Sequence, residues 1–216
     1  MVEMPTRVKI CGTTNLDDAE LAAAAGAWAV GLVFHPASPR RCAIDTAAVI
    51  GATLKRRCEV VGVFVNAPLD EVVLTADAAE LTILQLHGEE GPAFCAEARR
   101  RTGLPVIKAA RVRDSASIRA LTAYKTDYHM LDAFVPGKAG GTGERFDWAL
   151  AAGHPGVPPV LVSGGIRPDN VREAIETLRP FAIDVASGVE IVPGRKDSER
   201  LEALFEAVRE ATPAGV

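Results

Sequence analysis

The sequence predicts an α/β fold, a single (β/α)8 TIM barrel over residues 1–216, from three observations. Apolar runs and helical runs take turns along the chain, eight such pairs can be counted, and no shift in composition marks a second domain. Strands that alternate with helices form parallel sheets, and eight of them close the sheet on itself. Composition agrees, with 48% apolar but only 5% aromatic residues, so Ala, Val, Leu and Ile must build the core. That mixture suits buried parallel strands under Ala-rich helices.

The first strand is Arg7-Val8-Lys9-Ile10-Cys11, ended by Gly12. Alternation puts Lys9 and Cys11 on one face and Val8 and Ile10 on the other. A lysine and a thiol facing inward suit a barrel strand whose carboxyl end reaches a rim site. Thr13, Thr14 and Asn15 are candidate caps for a helix over Leu16–Ala25. Trp28–Phe34 is the second strand, two prolines make 35–40 a loop, and a helix follows near Asp45–Leu54. Val60–Val65 and Leu81–Leu86 are the third and fourth strands, with helices near Leu69–Ala76 and Ala93–Arg101.

Pro105–Ala109, Tyr128–Leu131, Pro159–Val162 and Phe181–Val185 complete the strands. Helices are expected near Ser117–Ala123 and Trp148–Ala152, and a Gly-rich loop over Pro136–Gly143. Val171, Ala174, Ile175 and Leu178 fall at i, i+3, i+4 and i+7, and Leu201, Leu204, Phe205 and Val208 repeat that spacing. Each set is one apolar face of a helix. An open doubly wound sheet is the competing topology. It would show a nucleotide fingerprint after the first strand, and Cys11-Gly12-Thr13-Thr14 is not one.

Several function classes fall away. A formal charge of −4 gives no overall basic field for nucleic acid. No apolar run has the length of a membrane span, and the amino terminus carries no apolar signal segment, so a cytoplasmic enzyme is expected. Cys11, Cys42, Cys58 and Cys95 are scattered without a Cys-x-x-Cys pair and read as free thiols. His35, His87, His129 and His154 form no metal-ligand spacing with them, and neither a metal nor an organic cofactor is expected.

The strand ends carry the candidate chemistry. Gly164-Gly165 after the seventh strand and Ser187-Gly188 after the eighth lack bulky side chains, so backbone N–H groups can approach a phosphate there. Tight turns alone are the other reading of those glycines. Cys11 is a candidate base or nucleophile, with Lys9 on the same face to favour the thiolate; it also fits a small buried hydrophobe. Lys9 needs an acidic partner inside the barrel, and Asp184 on the adjoining eighth strand is the candidate. Asp132 lies between Leu131 and Ala133, an apolar setting that would raise its pKa and suit proton donation, or it caps or anchors a loop. An acid on strand six facing a thiol on strand one suggests proton shuffling on a small sugar phosphate.

These residues belong to a longer ordered series. Val8-Lys9-Ile10-Cys11-Gly12, Gly31-Leu32-Val33-Phe34, Ser38-Pro39-Arg40, Val61-Gly62-Val63-Phe64-Val65-Asn66 and Gln85-Leu86-His87-Gly88 open it. Leu131-Asp132-Ala133, Gly140-Gly141-Thr142-Gly143 and Asp184-Val185-Ala186-Ser187-Gly188-Val189-Glu190 complete it. Over its whole length the chain resembles the phosphoribosylanthranilate isomerases of tryptophan biosynthesis.

That resemblance implies an Amadori rearrangement with Asp132 as general acid and Cys11 as general base. It implies Arg40 facing the substrate's anthranilate carboxylate, Gly164, Gly165, Ser187 and Gly188 at its phosphate, and Gly141 in a mobile loop over it. It also puts Cys42 near the anthranilate side. Arg41 stands where relatives often have an aromatic, and Ser163 where Ala or Gly is more usual. The expected partner is a small-molecule phosphosugar substrate, with no nucleic acid and no membrane, and the chain is expected as a monomer or homodimer. The alternatives are a histidine-pathway or dual-substrate isomerase barrel, or a non-catalytic barrel that binds a phosphorylated metabolite. The histidine-pathway and dual-substrate relatives carry carboxylates at both acid and base positions, so Cys11 argues against those two; the non-catalytic barrel would be favoured if Asp132 could not reach the ligand.

Overall fold

The two faces of the first strand decide how the sheet closes. A computed structural model describes residues 5–133 and 148–211. β1 (Arg7–Cys11) pairs in parallel with β2 (Ala29–Val33) on one side and β8 (Ala182–Val185) on the other. Between them run β3 (Glu59–Phe64), β4 (Ile83–Leu86), β5 (Val106–Val112), β6 (Tyr128–Ala133) and β7 (Val160–Val162), and the eight strands form a closed barrel in chain order. Around it lie α1 (Leu16–Ala25), α2 (Ile44–Leu54), α3 (Leu69–Ala78), α4 (Pro92–Thr102), α5 (Ser115–Ala120), α6 (Val171–Leu178) and α7 (Ser198–Ala211). No helix among the described residues is long and apolar enough to cross a membrane.

Alternation along the strands separates two apolar layers. Ala29, Val61, Ile83, Ile107, Met130 and Leu161 fill the barrel interior. Val8, Ile10, Val30, Leu32 and Leu84 face outward and meet Ala19, Ala22, Ile50 and Leu54 from the helices. Leu201, Leu204, Phe205 and Val208 are all buried in that outer layer, as their spacing predicts. Each such aliphatic side chain removed from water contributes about 1.5–3 kcal/mol. Among the three candidate caps, Asn15 holds the position: its side chain accepts from Asp18 N at 2.9 Å, and Gly26, at φ 103°, closes the other end of α1.

Several features of the structure depart from expectation. β5 and β6 run on to Val112 and Ala133 because Ala110, Arg111 and Val112 pair with Leu131, Asp132 and Ala133. The expected helix near Trp148–Ala152 is a 3-10 segment, Trp148–Gly153. A hairpin of β9 (Glu190–Val192) and β10 (Arg195–Lys196) follows β8, and two strands this short and charged carry no periodic signal. Cys42 does not face the ligand side: its N–H bonds Val33 O at 2.8 Å, and its side chain enters the outer layer, where burial pushes the thiol up to about 11.

A chain of hydrogen bonds ties β6 to the segment before β7. Gly156 N–H donates to His154 Nδ1 at 3.0 Å, so the His154 proton sits on Nε2 and points at His129 Nδ1, 2.8 Å away. His129 Nε2–H then faces Tyr124 O at 3.3 Å. Every link requires a neutral imidazole, since a second proton on either ring would meet another donor. Burial lowers His154, and it lowers His129 to about 4, against a backbone bond to Tyr124 that pulls upward.

An unfolded histidine titrates near 6.5, so between about pH 6.5 and 4 the unfolded chain binds more protons than the native one. The stabilisation is therefore complete above about pH 6.5 and is lost as pH falls toward 4. Urea unfolding from pH 8 to 4.5 is expected to show a loss on the order of 2 kcal/mol from this source. His129→Phe should flatten the pH dependence by that amount, and an unchanged slope would count against the histidine chain as its origin.

Candidate active site

β1 positions the thiol through its neighbours in register. Lys9 sits opposite Asp184 on β8 and Ala29 on β2, and Cys11 sits opposite Gly31. Lys9 Nζ donates to Asp184 Oδ1 at 2.7 Å, as the sequence predicts, and Ser163 Oγ donates to Asp184 Oδ2 at 3.2 Å. Lys9 is fully buried, and Cys11 is buried beside it. Gly31 makes the room: a Cβ there would stand 2.8 Å from Cys11 Sγ and 2.9 Å from Lys9 Nζ.

The charges around the thiol oppose one another. Burial pushes Cys11 up, the Lys9 ammonium pulls it down, and the Asp184 carboxylate adds to the rise, which leaves it above the ordinary thiol range. The expectation that Lys9 makes a ready thiolate is therefore corrected, because Asp184 already claims that cation. Burial alone would lower Lys9, but the Asp184 and Cys11 charges hold the ammonium above its ordinary value.

Asp132 lies within β6 and is 3% exposed, yet its surroundings are not apolar. His87 Nε2 is 3.0 Å from Asp132 Oδ2, and Gln85 Nε2 donates to His87 Nδ1 at 2.8 Å. With Nδ1 occupied as an acceptor, the imidazole proton lies on Nε2 and is aimed at the carboxyl group. Gln85 on β4 and His87 just beyond its end thus hold the strand-six acid.

Arg40 reaches the same space from the loop after β2. Its stem lies on Gly12, at φ 76°, where a Cβ would meet Arg40 Cδ at 2.5 Å. Cys11, Arg40, Gln85, His87, Asp132 and Asp184 line one cavity of about 100 Å³ at the carboxyl ends of the strands. Gly164, Gly165, Ser187 and Gly188 are not in its wall but on the two loops that flank it. Gly164 and Gly165 take φ 97° and 63°, and Gly188 passes so close to Ile166 O that no side chain fits. Asn170 fastens the first loop, donating to Gly165 O at 2.8 Å. Gly141 lies outside the described residues.

Among the described residues no cluster of His, Cys, Asp and Glu is arranged to hold a metal ion. Sequence reading missed two contributors, Gly31 and Lys196. Gly31 carries no functional group, so its sign is only its place beside Cys11. Lys196 Nζ donates to Cys11 O at 2.6 Å from the unforeseen hairpin.

A thiol, an imidazole-bound carboxyl group and an arginine lie together at the carboxyl-terminal mouth of a (β/α)8 barrel, the place where enzymes of the barrel class carry their active sites. A family model for N-(5′-phosphoribosyl)anthranilate (PRA) isomerase matches residues 8–207. The chain belongs to the PRA isomerase family. It is 50% identical to the N-(5′-phosphoribosyl)anthranilate isomerase of Citrifermentans bemidjiense over 93% of this chain and 95% of that one. Similar solved structures include the phosphoribosyl anthranilate isomerase of Thermus thermophilus, 42% identical, TM-score 0.86, covering 95% of this chain and 99% of that one. Another, 37% identical with TM-score 0.82 and the same coverage, holds reduced 1-(o-carboxyphenylamino)-1-deoxyribulose 5-phosphate.

Gly31→Ala is expected to destabilise the fold by about 1–3 kcal/mol, since the added methyl must displace the thiol or the ammonium. A fall in the urea midpoint would register it, and an unchanged midpoint would mean that the neighbours yield freely.

Proposed function

We propose that this chain converts N-(5-phosphoribosyl)anthranilate to 1-(2-carboxyphenylamino)-1-deoxyribulose 5-phosphate, with Asp132 as general acid and Cys11 as general base. The observation that carries the reading is the convergence of Cys11, Asp132 and Arg40 on one cavity of a PRA isomerase family member. The relative that holds the reduced product supports the same substrate.

Asp132, entering the step as the carboxylic acid with His87 Nε2–H on its other oxygen, gives its own proton to the furanose ring oxygen. The C1–O bond breaks, and the nitrogen lone pair forms the C1=N bond of a protonated Schiff base. The Cys11 thiolate then takes the proton from C2, and the electrons of that C–H bond close the C1=C2 double bond of an enolamine. Loss of the O2 proton and protonation at C1 give the ketone, so no electron leaves or enters. A thiolate held above its ordinary pKa is less populated at neutral pH but a stronger base once formed. Burial and Lys9 thus set strength against population.

The flanking glycine loops suit the phosphate, because their backbone N–H groups can approach it closely. Arg40 suits the anthranilate carboxylate through a planar two-donor fork. The elements from β1 to α7 support reading the chain as one barrel domain. The biosynthetic role supports a cytoplasmic location, and a phosphosugar substrate, without nucleic acid or membrane, completes the partners. A similar Thermotoga maritima protein is described as dimeric, which supports a homodimer over a monomer.

The test follows the loss of anthranilate fluorescence from fresh phosphoribosylanthranilate. Wild type should turn over rapidly. Asp132→Asn should abolish turnover while leaving phosphate binding largely intact, and Cys11→Ser should slow it at least about a hundredfold. Absent turnover in wild type would redirect the assignment to the histidine-pathway aminoaldose. Alkylation of Cys11 by iodoacetamide, read by mass spectrometry, should still be accelerating on the alkaline side of about pH 8.5, the range of a free thiol. A plateau reached well below that pH would show that the thiol is not raised.

A further inference from the structure

The hairpin after β8 buries two charges that take no part in the steps above. Glu190 and Lys196 side chains are 4% and 0% exposed. Glu190 Oε1 and Oε2 lie 2.9 and 3.0 Å from Arg40 Nε, and Oε2 lies 2.7 Å from Arg40 Nη2. Lys196 Nζ donates to Glu190 Oε1 at 3.0 Å and also to Cys11 O. Burial alone would raise the Glu190 carboxyl, but the Arg40 bonds and the Lys196 charge hold it below its ordinary range.

A guanidinium carries five N–H donors in one plane. Glu190 takes the Nε–H and one Nη2–H, which are its side edge. Three donors remain, including the end-on pair shared by Nη1 and Nη2. Gly12 beneath the stem and Glu190 along the edge fix both the reach and the plane of the head. The clamp also travels with β1: Lys196 N donates to Asp18 Oδ2 at 2.9 Å, and Thr14 Oγ1 to Gly194 O at 2.7 Å.

We propose that Glu190 is the positioning residue of the aromatic-carboxylate subsite, clamping Arg40 so that its end-on fork meets a planar benzoate group. The inference rests on the reading of Arg40 as partner of the substrate's anthranilate carboxylate. An arginine already held in its binding conformation loses little freedom when the ligand arrives, whereas a free one must be ordered. Selectivity for a ring that bears a carboxylate is therefore set one shell behind the residue that touches it.

The experiment compares two ligands by calorimetry: reduced 1-(2-carboxyphenylamino)-1-deoxyribulose 5-phosphate and its counterpart with an unsubstituted phenyl ring. The proteins are wild type, Arg40→Ala, Glu190→Gln and the double variant. Glu190→Gln is expected to weaken the carboxylated ligand about tenfold to a hundredfold and the phenyl ligand by no more than about threefold. The double variant should bind the carboxylated ligand no more weakly than Arg40→Ala alone, because Glu190 acts through Arg40.

Equal loss of both ligands in Glu190→Gln would mark a merely structural role and overturn the proposal. Discrimination lost in Arg40→Ala but kept in Glu190→Gln would overturn it while leaving the reading of Arg40 intact. Discrimination kept in Arg40→Ala would sink that reading and the proposal together. Should Glu190→Gln not fold, Glu190→Asp keeps the charge Lys196 needs but withdraws it from Arg40, with the same loss of discrimination expected.

Discussion

The Lys9–Asp184 ion pair at the seam between β1 and β8 is the contact on which the rest of the site depends. A buried ammonium is costly unless paired, and breaking such a pair costs about 3–5 kcal/mol. The pair therefore fixes the seam where the barrel closes. A slip of one residue would turn Lys9 into the apolar outer layer and strand Asp184. With that register set, Cys11 stands two residues on, on the same face, at the mouth. Ser163 on the second Asp184 oxygen extends the arrangement to the loop after β7.

Around this fixed point the site is shaped as much by missing side chains as by present ones. Gly31 leaves space for the thiol and the ammonium, Gly12 lets Arg40 lie across the end of β1, and Gly188 lets two loops meet backbone to backbone. Each glycine trades local chain rigidity for a close approach that any Cβ would block. The polar groups are then held in pairs: His87 on Asp132, Glu190 on Arg40, Asp184 on Lys9. In each pair at least one member lies at the cavity wall, and the pairing fixes its orientation before any ligand arrives.

The thiol shows how opposed forces tune one group. Burial disfavours its charge, a cation two residues away favours it, and the carboxylate that neutralises the cation weakens that help. The Lys108–Glu90 pair repeats the pattern between β5 and the loop after β4, where Lys108 also donates to Gly88 O at 2.7 Å. Burial would raise Glu90, but its bond to Lys108 keeps it ionised. Pairs of this kind let a barrel interior carry charge near its mouth while its middle stays apolar.

Local periodicity determined the barrel. Eight strands, the limits of α1, the buried face of α7 and the inward direction of Lys9 and Cys11 all follow from residue spacing, because strands and helices expose fixed faces. The ordered motifs determined Cys11, Arg40 and Asp132 as the groups to watch. Tertiary structure alone decided how those groups are held. Nothing in the neighbourhood of Asp132 in sequence names His87, 45 residues away, and nothing near Arg40 names Glu190, 150 residues away. The β9–β10 hairpin, the outward turn of Cys42 and the raised thiol of Cys11 were illegible for the same reason. Each depends on partners from distant segments, and burial and Coulomb energy belong to that assembled neighbourhood rather than to any stretch of chain.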